Sequence, residues 1–186
     1  MDWQNLTYLL NGTKRQKEAY TVIHSLQVFE TLKAFDPILV GTIPLNIDIL
    51  GSDLDIICEV HDFPSFNALL HNCFGNYTGF RQVNYDIKEI QTTVTNFIFG
   101  EFEFEIFGQP IPTKQQNAYR HMVIEERLLT VGGFKAYQAI RNLKANGLKT
   151  EPAFVAYFQI ECDDPYLKIL ELESMTDEEL KNFVMK

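Results

Sequence analysis

Two aspartates one residue apart, Asp53 and Asp55, open the apolar run GSDLDIICEV at residues 51–60. In a strand, residues i and i+2 point to the same face. The two carboxylates therefore project side by side, with Ile57 and Glu59 following them, while Leu54, Ile56, Cys58 and Val60 line the other face. Like charges held together cost energy unless a cation, a proton or water offsets them. Upstream, Gly41-Thr42 closes a short apolar run, and Ser52 stands immediately before the pair. Downstream, EFEFEIF at 101–107 alternates strictly, with Glu101, Glu103 and Glu105 on one face. Two adjacent aspartates plus a third carboxylate on a later strand suit metal-assisted phosphoryl transfer. In such sites two divalent ions about 4 Å apart clamp the attacking and leaving oxygens. Mg²⁺ (or Mn²⁺) is the expected cofactor, held by carboxylates, waters and phosphate oxygens. A small Gly-Thr turn lets backbone N–H groups approach a phosphate closely.

Rival metal readings fail on spacing. NIDILGSDLDII places Gly51 at the sixth position of a calcium loop, but Leu50 fills the fifth and Ile57 the twelfth, where a glutamate is needed. Cys58, His61, His71 and Cys73 suggest zinc, yet Cys58 falls on the apolar face and reads as core. Asp48, in the loop beside the pair, is either a turn former or a site residue.

The elements that must position these groups follow from periodicity. Residues 15–35 carry apolar side chains at helical spacing (Ala19, Val22, Ile23, Leu26, Phe29, Leu32). DPILVG reads as a short buried strand, 42–52 as a loop, 53–60 as a strand, and a helix starts near Asp62 and ends before Gly75. Strands are expected around 79–87, 91–99 and 101–107. From Lys114 the pattern turns helical, with helices near 115–129, 133–146, 152–161 and 165–172. A last short helix begins at Thr176, where Thr176 and Glu179 fit a capping box. The expected organisation is a strand-rich core over 1–112 and a helical portion over 113–186, packed as one unit.

At 186 residues, 46% hydrophobic and 13% aromatic, the chain can bury a sizeable core. No apolar run reaches membrane-spanning length. The start MDWQNLTYLL lacks a basic n-region and does not resemble a signal peptide, and the three scattered cysteines fit a reducing compartment. A cytoplasmic location is expected. The net charge of −9 argues against a nucleic-acid partner. That average conceals a segregation, because Thr113–Lys149 holds seven cations and two acids, whereas Thr150–Lys186 holds three cations and nine acids. The basic stretch either walls a phosphate pocket or forms solvated helix faces at Arg127, Lys135, Arg141 and Lys144. Within QQNAYRHM, Gln116, Asn117, Tyr119, Arg120 and His121 either bind an acceptor or pack on the sheet edge.

LVGT…GSDLDIICEV resembles the nucleotidyltransferase superfamily, the polymerase-beta-like fold, whose hallmark is hG[GST], a spacer, DhDh and a third acid on a later strand. More closely, the blocks GTIPLNIDILGSDLDI, EIFGQPIPTKQQNAYRHMVIEERLL, GLKTEPAFVAYF and DPY resemble a bacterial domain-of-unknown-function family, number 4269, within that clan. The resemblance implies an α+β fold with a mixed twisted sheet flanked by helices and followed by a C-terminal helical portion. It makes Gly41, Thr42 and Ser52 the phosphate side, and Asp53 and Asp55 the metal pair. Glu105, in EIF, best matches the third acid, ahead of Glu103; aspartate is usual there, and Gly-Thr stands for Gly-Ser or Gly-Gly. The implied activity is metal-dependent transfer of a nucleoside monophosphate from a nucleoside triphosphate to a hydroxyl of a small molecule or protein. Arg120 and Lys149 are the expected cations for the triphosphate. The alternative is a catalytically silent protein of this fold that binds nucleotide or a protein partner.

Overall fold

A computed structural model describes residues 2–184. Helix α1 (Lys14–Leu26) starts on a capping box: the Thr13 hydroxyl accepts from the Gln16 N–H, and the Gln16 side chain accepts from the Thr13 N–H at 2.9 Å. The expected helix over 15–35 is interrupted at Gln27, which is left-handed (φ 54°), and the four-residue α2 (Val28–Thr31) follows. Strand β1 (Ile38–Val40) leads through the loop to β2 (Leu54–Glu59). Helix α3 (Phe63–Phe74) is capped by Asp62, whose carboxylate accepts from the Ser65 N–H at 3.1 Å. A meander of β3 (Arg81–Ile87), β4 (Ile90–Phe99) and β5 (Phe102–Gln109) completes the sheet.

The helical part comprises α4 (Asn117–Ala145), α5 (Thr150–Phe158), α6 (Pro165–Glu171) and α7 (Asp177–Val184). Where two helices were expected there is one 29-residue run, interrupted at Gly133 (φ 62°, ψ −161°). Only glycine adopts that conformation at little cost, so the break falls where the two predicted helices part. Ahead of α7 the capping box forms as expected, the Glu179 carboxylate accepting from the Thr176 N–H at 2.8 Å.

The five-stranded sheet has the order β1-β2-β5-β4-β3. All neighbours are antiparallel except β2 and β5, which run parallel. The sheet is therefore two local antiparallel pieces, β1–β2 and β3–β4–β5, joined along one parallel seam. One face carries Leu54, Ile56, Cys58, Phe97, Phe104 and Ile106 into a cluster with α1 and α3. Phe97 and Phe104 stack there with ring centroids 5.2 Å apart. On the other face Ile38, Val40 and Ile57 join a second cluster built from α4 to α7. The two halves of the chain thus share buried apolar surface across the sheet. Among the described residues no helix is long and apolar enough to cross a membrane.

Candidate active site

The parallel seam sets the carboxylates. Its register pairs Asp55 of β2 with Glu105 of β5, while β1 places Val40 opposite Asp55 and β4 places Asn96 opposite Glu105. Glu105 accepts a hydrogen bond from the Asn96 amide at 3.2 Å. Glu103 lies on the same face of β5 and Glu101 in the turn just before it, and both are exposed. Asp53 stands one residue before β2, half-buried, and its charge acts on Asp55. Burial first, then Asp53 and Glu105, push the Asp55 carboxyl well above the ordinary carboxylate range, with Lys144 opposing.

Just past β1, Gly41 adopts φ +83°, and a Cβ built on it would sit 2.3 Å from Asp55 Oδ2. A side chain is thus excluded twice, by backbone conformation and by the carboxylate. The loop that follows is tied from both sides. From α1, the Gln16 amide donates to the Ile43 and Pro44 carbonyls at 2.9 and 3.1 Å. From α4, Arg141 donates to Asn46 at 2.6 Å and pairs with Asp48 at 3.3 Å, and Lys144 donates to the Ile47 carbonyl at 2.9 Å. Ser52 fastens the loop's end: its Oγ accepts from the Ile49 N–H at 3.0 Å and lies 3.4 Å from the Thr42 hydroxyl.

Asp55, Glu105, Gly41 and Thr42 open onto a cleft of about 460 Å³ between the sheet and the start of α4. This volume is within the range of small-ligand sites. Gln116, Asn117, His121 and Glu125 form the α4 wall, Glu151 and Tyr166 the far end, and Lys88 at the β3–β4 turn reaches the rim. His121 Nδ1 lies 3.2 Å from Glu151, and Nε2 lies 3.0 Å from the Tyr166 carbonyl oxygen. The donor set of Asp55 and Glu105 is all oxygen, a chemistry that suits a hard divalent cation, with the Lys144 charge also acting on Asp55. Among the described residues, however, no group of three or more His, Cys, Asp or Glu side chains is disposed to hold a metal.

Four expected residues do not line the cleft: Asp53, whose charge acts on Asp55 from just before β2, Ser52, which ties the loop, and Arg120 and Lys149. Arg120 lies outside the cleft lining because its guanidinium is held by Glu173, at 2.9 Å from Nε and 2.6 Å from Nη2. Lys149 is exposed at the N-cap of α5 and does not line the cleft either. Three of the seven cations in the basic stretch pair with acids: Arg120 with Glu173, Arg127 with Asp177 and Arg141 with Asp48. The groups that the sequence reading overlooked are Lys88, Glu125 and Gln16, and Lys144 as a buried tie. Glu125 and Lys144 sit on a helix whose polar residues run all round it, so no periodic signal separates them from surface charges. Lys88 gave a signal only in the Lys-Glu turn between two strands.

This mixed sheet and its flanking helices define a nucleotidyltransferase fold. Solved structures with that fold superpose on it, at identities that bear on the fold alone. A Cid1 RNA terminal uridylyl transferase aligns with TM-score 0.52 and 10% identity, over 75% of this chain and 45% of that one. A Cid1 poly(U) polymerase with MgGTP bound gives 0.52 and 11%, over 75% and 46%. A chain of the GLD-2/RNP-8 complex gives 0.55 and 10%, over 86% and 66%. The chain therefore spans about half the length of the Cid1 proteins. Residues 21–172 match the family described as Domain of unknown function (DUF4269), and the chain belongs to that family. No curated protein sequence matches it.

Proposed function

We propose that this protein is a metal-dependent nucleotidyltransferase that moves a nucleoside monophosphate from a nucleoside triphosphate to an acceptor hydroxyl, releasing pyrophosphate. The observation that carries the reading is the register of Asp55 with Glu105 beside a side-chain-free Gly41, all facing one cleft. Asp53, Asp55 and Glu105 would hold Mg²⁺ or Mn²⁺. The cation, when bound, supplies charge stabilisation to the phosphate oxygens and to the attacking hydroxyl. Gly41 and Thr42 present the phosphate-side turn, Ser52 keeps that turn closed, and Lys88 at the rim is placed to meet the outer phosphates. The acceptor is a small molecule or a protein. RNA is disfavoured as acceptor by the net charge of −9 and by the acids paired with Arg120, Arg127 and Arg141.

The test is a thermal-shift panel of the four ribonucleoside triphosphates with and without Mg²⁺ or Mn²⁺, run on wild type and Asp55→Asn. A ligand that binds only the folded state raises Tm by mass action, about 2.7 kcal/mol of stabilisation at a hundredfold excess over Kd. Stabilisation that needs metal and nucleotide together, and that vanishes in Asp55→Asn, supports the reading. Equal stabilisation in the variant would overturn it. Pyrophosphate release on adding acceptor separates a transferase from a silent nucleotide binder.

A further inference from the structure

The sheet has two edges, and they differ. Strand β1 is three residues long and wholly buried. Strand β3 pairs only with β4 and runs seven residues in unbroken register, without the proline or bulge that blunts an open edge. The hairpin turn Lys88-Glu89 is left-handed at both residues (φ 49° and 68°), so Ile87 and Ile90 flank it as a hydrogen-bonded pair. By alternation, the backbone groups of Arg81, Val83, Tyr85 and Ile87 bond to β4, and those of Gln82, Asn84 and Asp86 point off the sheet. Tyr85 and Ile87 are 45% and 36% exposed beside this open ladder.

Charge indicates the partner. Arg81 begins β3 and Glu89 ends its turn, and neither makes an ion pair among the described residues. Eight residues of extended chain, about 26 Å, keep them from meeting each other. An antiparallel second copy reverses the order and brings each against its opposite. Such an edge-to-edge pair is symmetric about a two-fold normal to the sheet, which sets odd residues opposite odd and even opposite even. Centred on Tyr85, the axis sets Arg81 against Glu89, Val83 against Ile87 and Asn84 against Asp86. Asn84 and Asp86 are residues whose backbone groups point outward, so they form the hydrogen-bonded pairs, and no like charges are opposed. The Asn84 side-chain oxygen already accepts from the Asn67 amide at 2.9 Å, which leaves its own amide nitrogen for the Asp86 carboxylate. Moving the axis to Asn84 or Val83 would set Arg81 against Ile87 or Tyr85 and leave both charges without a partner opposite.

We propose that β3 is a self-association edge, on which a second copy of this chain pairs antiparallel about Tyr85 to make one continuous ten-stranded sheet. Because the two-fold is normal to the sheet, both clefts open on the same face. Ile87 and Lys88 line the cleft, so the rim of each cleft abuts Arg81 of the second copy. An edge pairing falls in the small-interface class, under about 1,200 Å², where association is weak and reversible. None of this rests on the transferase reading.

Sedimentation equilibrium of the 21.5 kDa chain should show its mass doubling reversibly, with a Kd of about 1–100 μM. Arg81→Glu opposes two acids and should weaken the dimer at least tenfold, and adding Glu89→Arg should restore the wild-type Kd. Tyr85→Lys opposes two ammonium groups on the axis and should leave monomer at every concentration. Thermal melts check that each variant folds. The register is read by cross-linking in a Cys73→Ser/Cys162→Ser background, which keeps only the buried Cys58. There Tyr85→Cys should form an intermolecular disulfide under mild oxidation, because a non-hydrogen-bonded pair stands about 4.5 Å apart between Cα atoms. Asn84→Cys should not. Monomer up to about 300 μM, well above that Kd range, would overturn the proposal and leave the edge to a strand of a different protein. A dimer unchanged by Tyr85→Lys, or one that Glu89→Arg fails to rescue, would overturn it as well.

Discussion

At the scale of single residues, this protein holds two carboxyls in environments that resist ionisation, and each sets a measurable consequence. Asp55 is raised by burial and by its acidic neighbours. A raised carboxyl costs stability at any pH above its unfolded value, so Asp55→Asn should melt higher than wild type at pH 7 without metal, while losing metal-dependent nucleotide binding. Asp53→Asn should lose that binding too. Glu105→Gln should suppress transfer far more than Glu103→Gln, with Glu101→Gln nearly silent, because only Glu105 is in register with Asp55. The reverse order in a pyrophosphate-release assay would refute this assignment. Glu125 gives the clearest pH signature. Its carboxyl moves from 4.5 unfolded to about 8 folded, so between those values the folded protein holds a proton that the unfolded chain has released. Stability therefore falls as pH rises through that window. In denaturant melts from about pH 5 to pH 8, Glu125→Gln should gain steadily on wild type; a constant difference would contradict the shift.

At the scale of elements, the loop between β1 and β2 behaves less like a loop than like a third layer of the site. Gly41→Ala should destabilise the protein by at least about 1–2 kcal/mol, from the left-handed backbone alone, and should displace the Asp55 carboxylate as well. Chemical denaturation and metal-dependent nucleotide binding would both register the change. Arg141→Ala should weaken nucleotide binding while shifting the melt only modestly, since Arg141 contacts the loop and not the cleft. Every strand was legible in the sequence to within about two residues, because each alternates or is largely apolar, and β1, β4 and β5 stop at glycine or proline. The break at Gly133 was legible for the same reason. The break at Gln27 was not, since LQVF contains no residue that demands a turn. Of the expected site residues, Asp55, Gly41 and Thr42, singled out by spacing, and Glu105, singled out by the family resemblance, line one cleft, whereas Asp53 does not. Glu125 and Lys144 were hidden because burial of a charge is decided by what packs over it, here α5 and the 42–52 loop. Arg120 looked available for the opposite reason: its partner Glu173 lies 53 residues further along.

At the scale of the whole molecule, the segregated charge folds back on itself. The basic stretch meets acids through Arg120–Glu173, Arg127–Asp177 and Arg141–Asp48. Such surface pairs contribute only about 0–1 kcal/mol each to stability, but they withdraw cations from any external polyanion. Binding to single-stranded RNA should therefore be weak, with a shallow dependence of log affinity on log salt. Tight, steeply salt-dependent binding in an anisotropy titration would overturn the small-molecule acceptor and favour RNA.

The seam between β2 and β5 also fixes an order in time. The β3–β4–β5 piece closes over short turns and β1–β2 over the loop 41–53, whereas the parallel joint pairs Leu54 with Phe104 and must wait for the intervening chain to fold back. Contacts so distant in sequence form late, because loop closure must precede their reward. The newly made chain therefore carries Asp55 and Glu105 apart until its last sheet-forming step, and their mutual repulsion arises only when the rest of the sheet is in place to bear it. In pulse-labelled hydrogen exchange during refolding, the amides bonded between β3, β4 and β5 should become protected before those bonded across the β2–β5 seam.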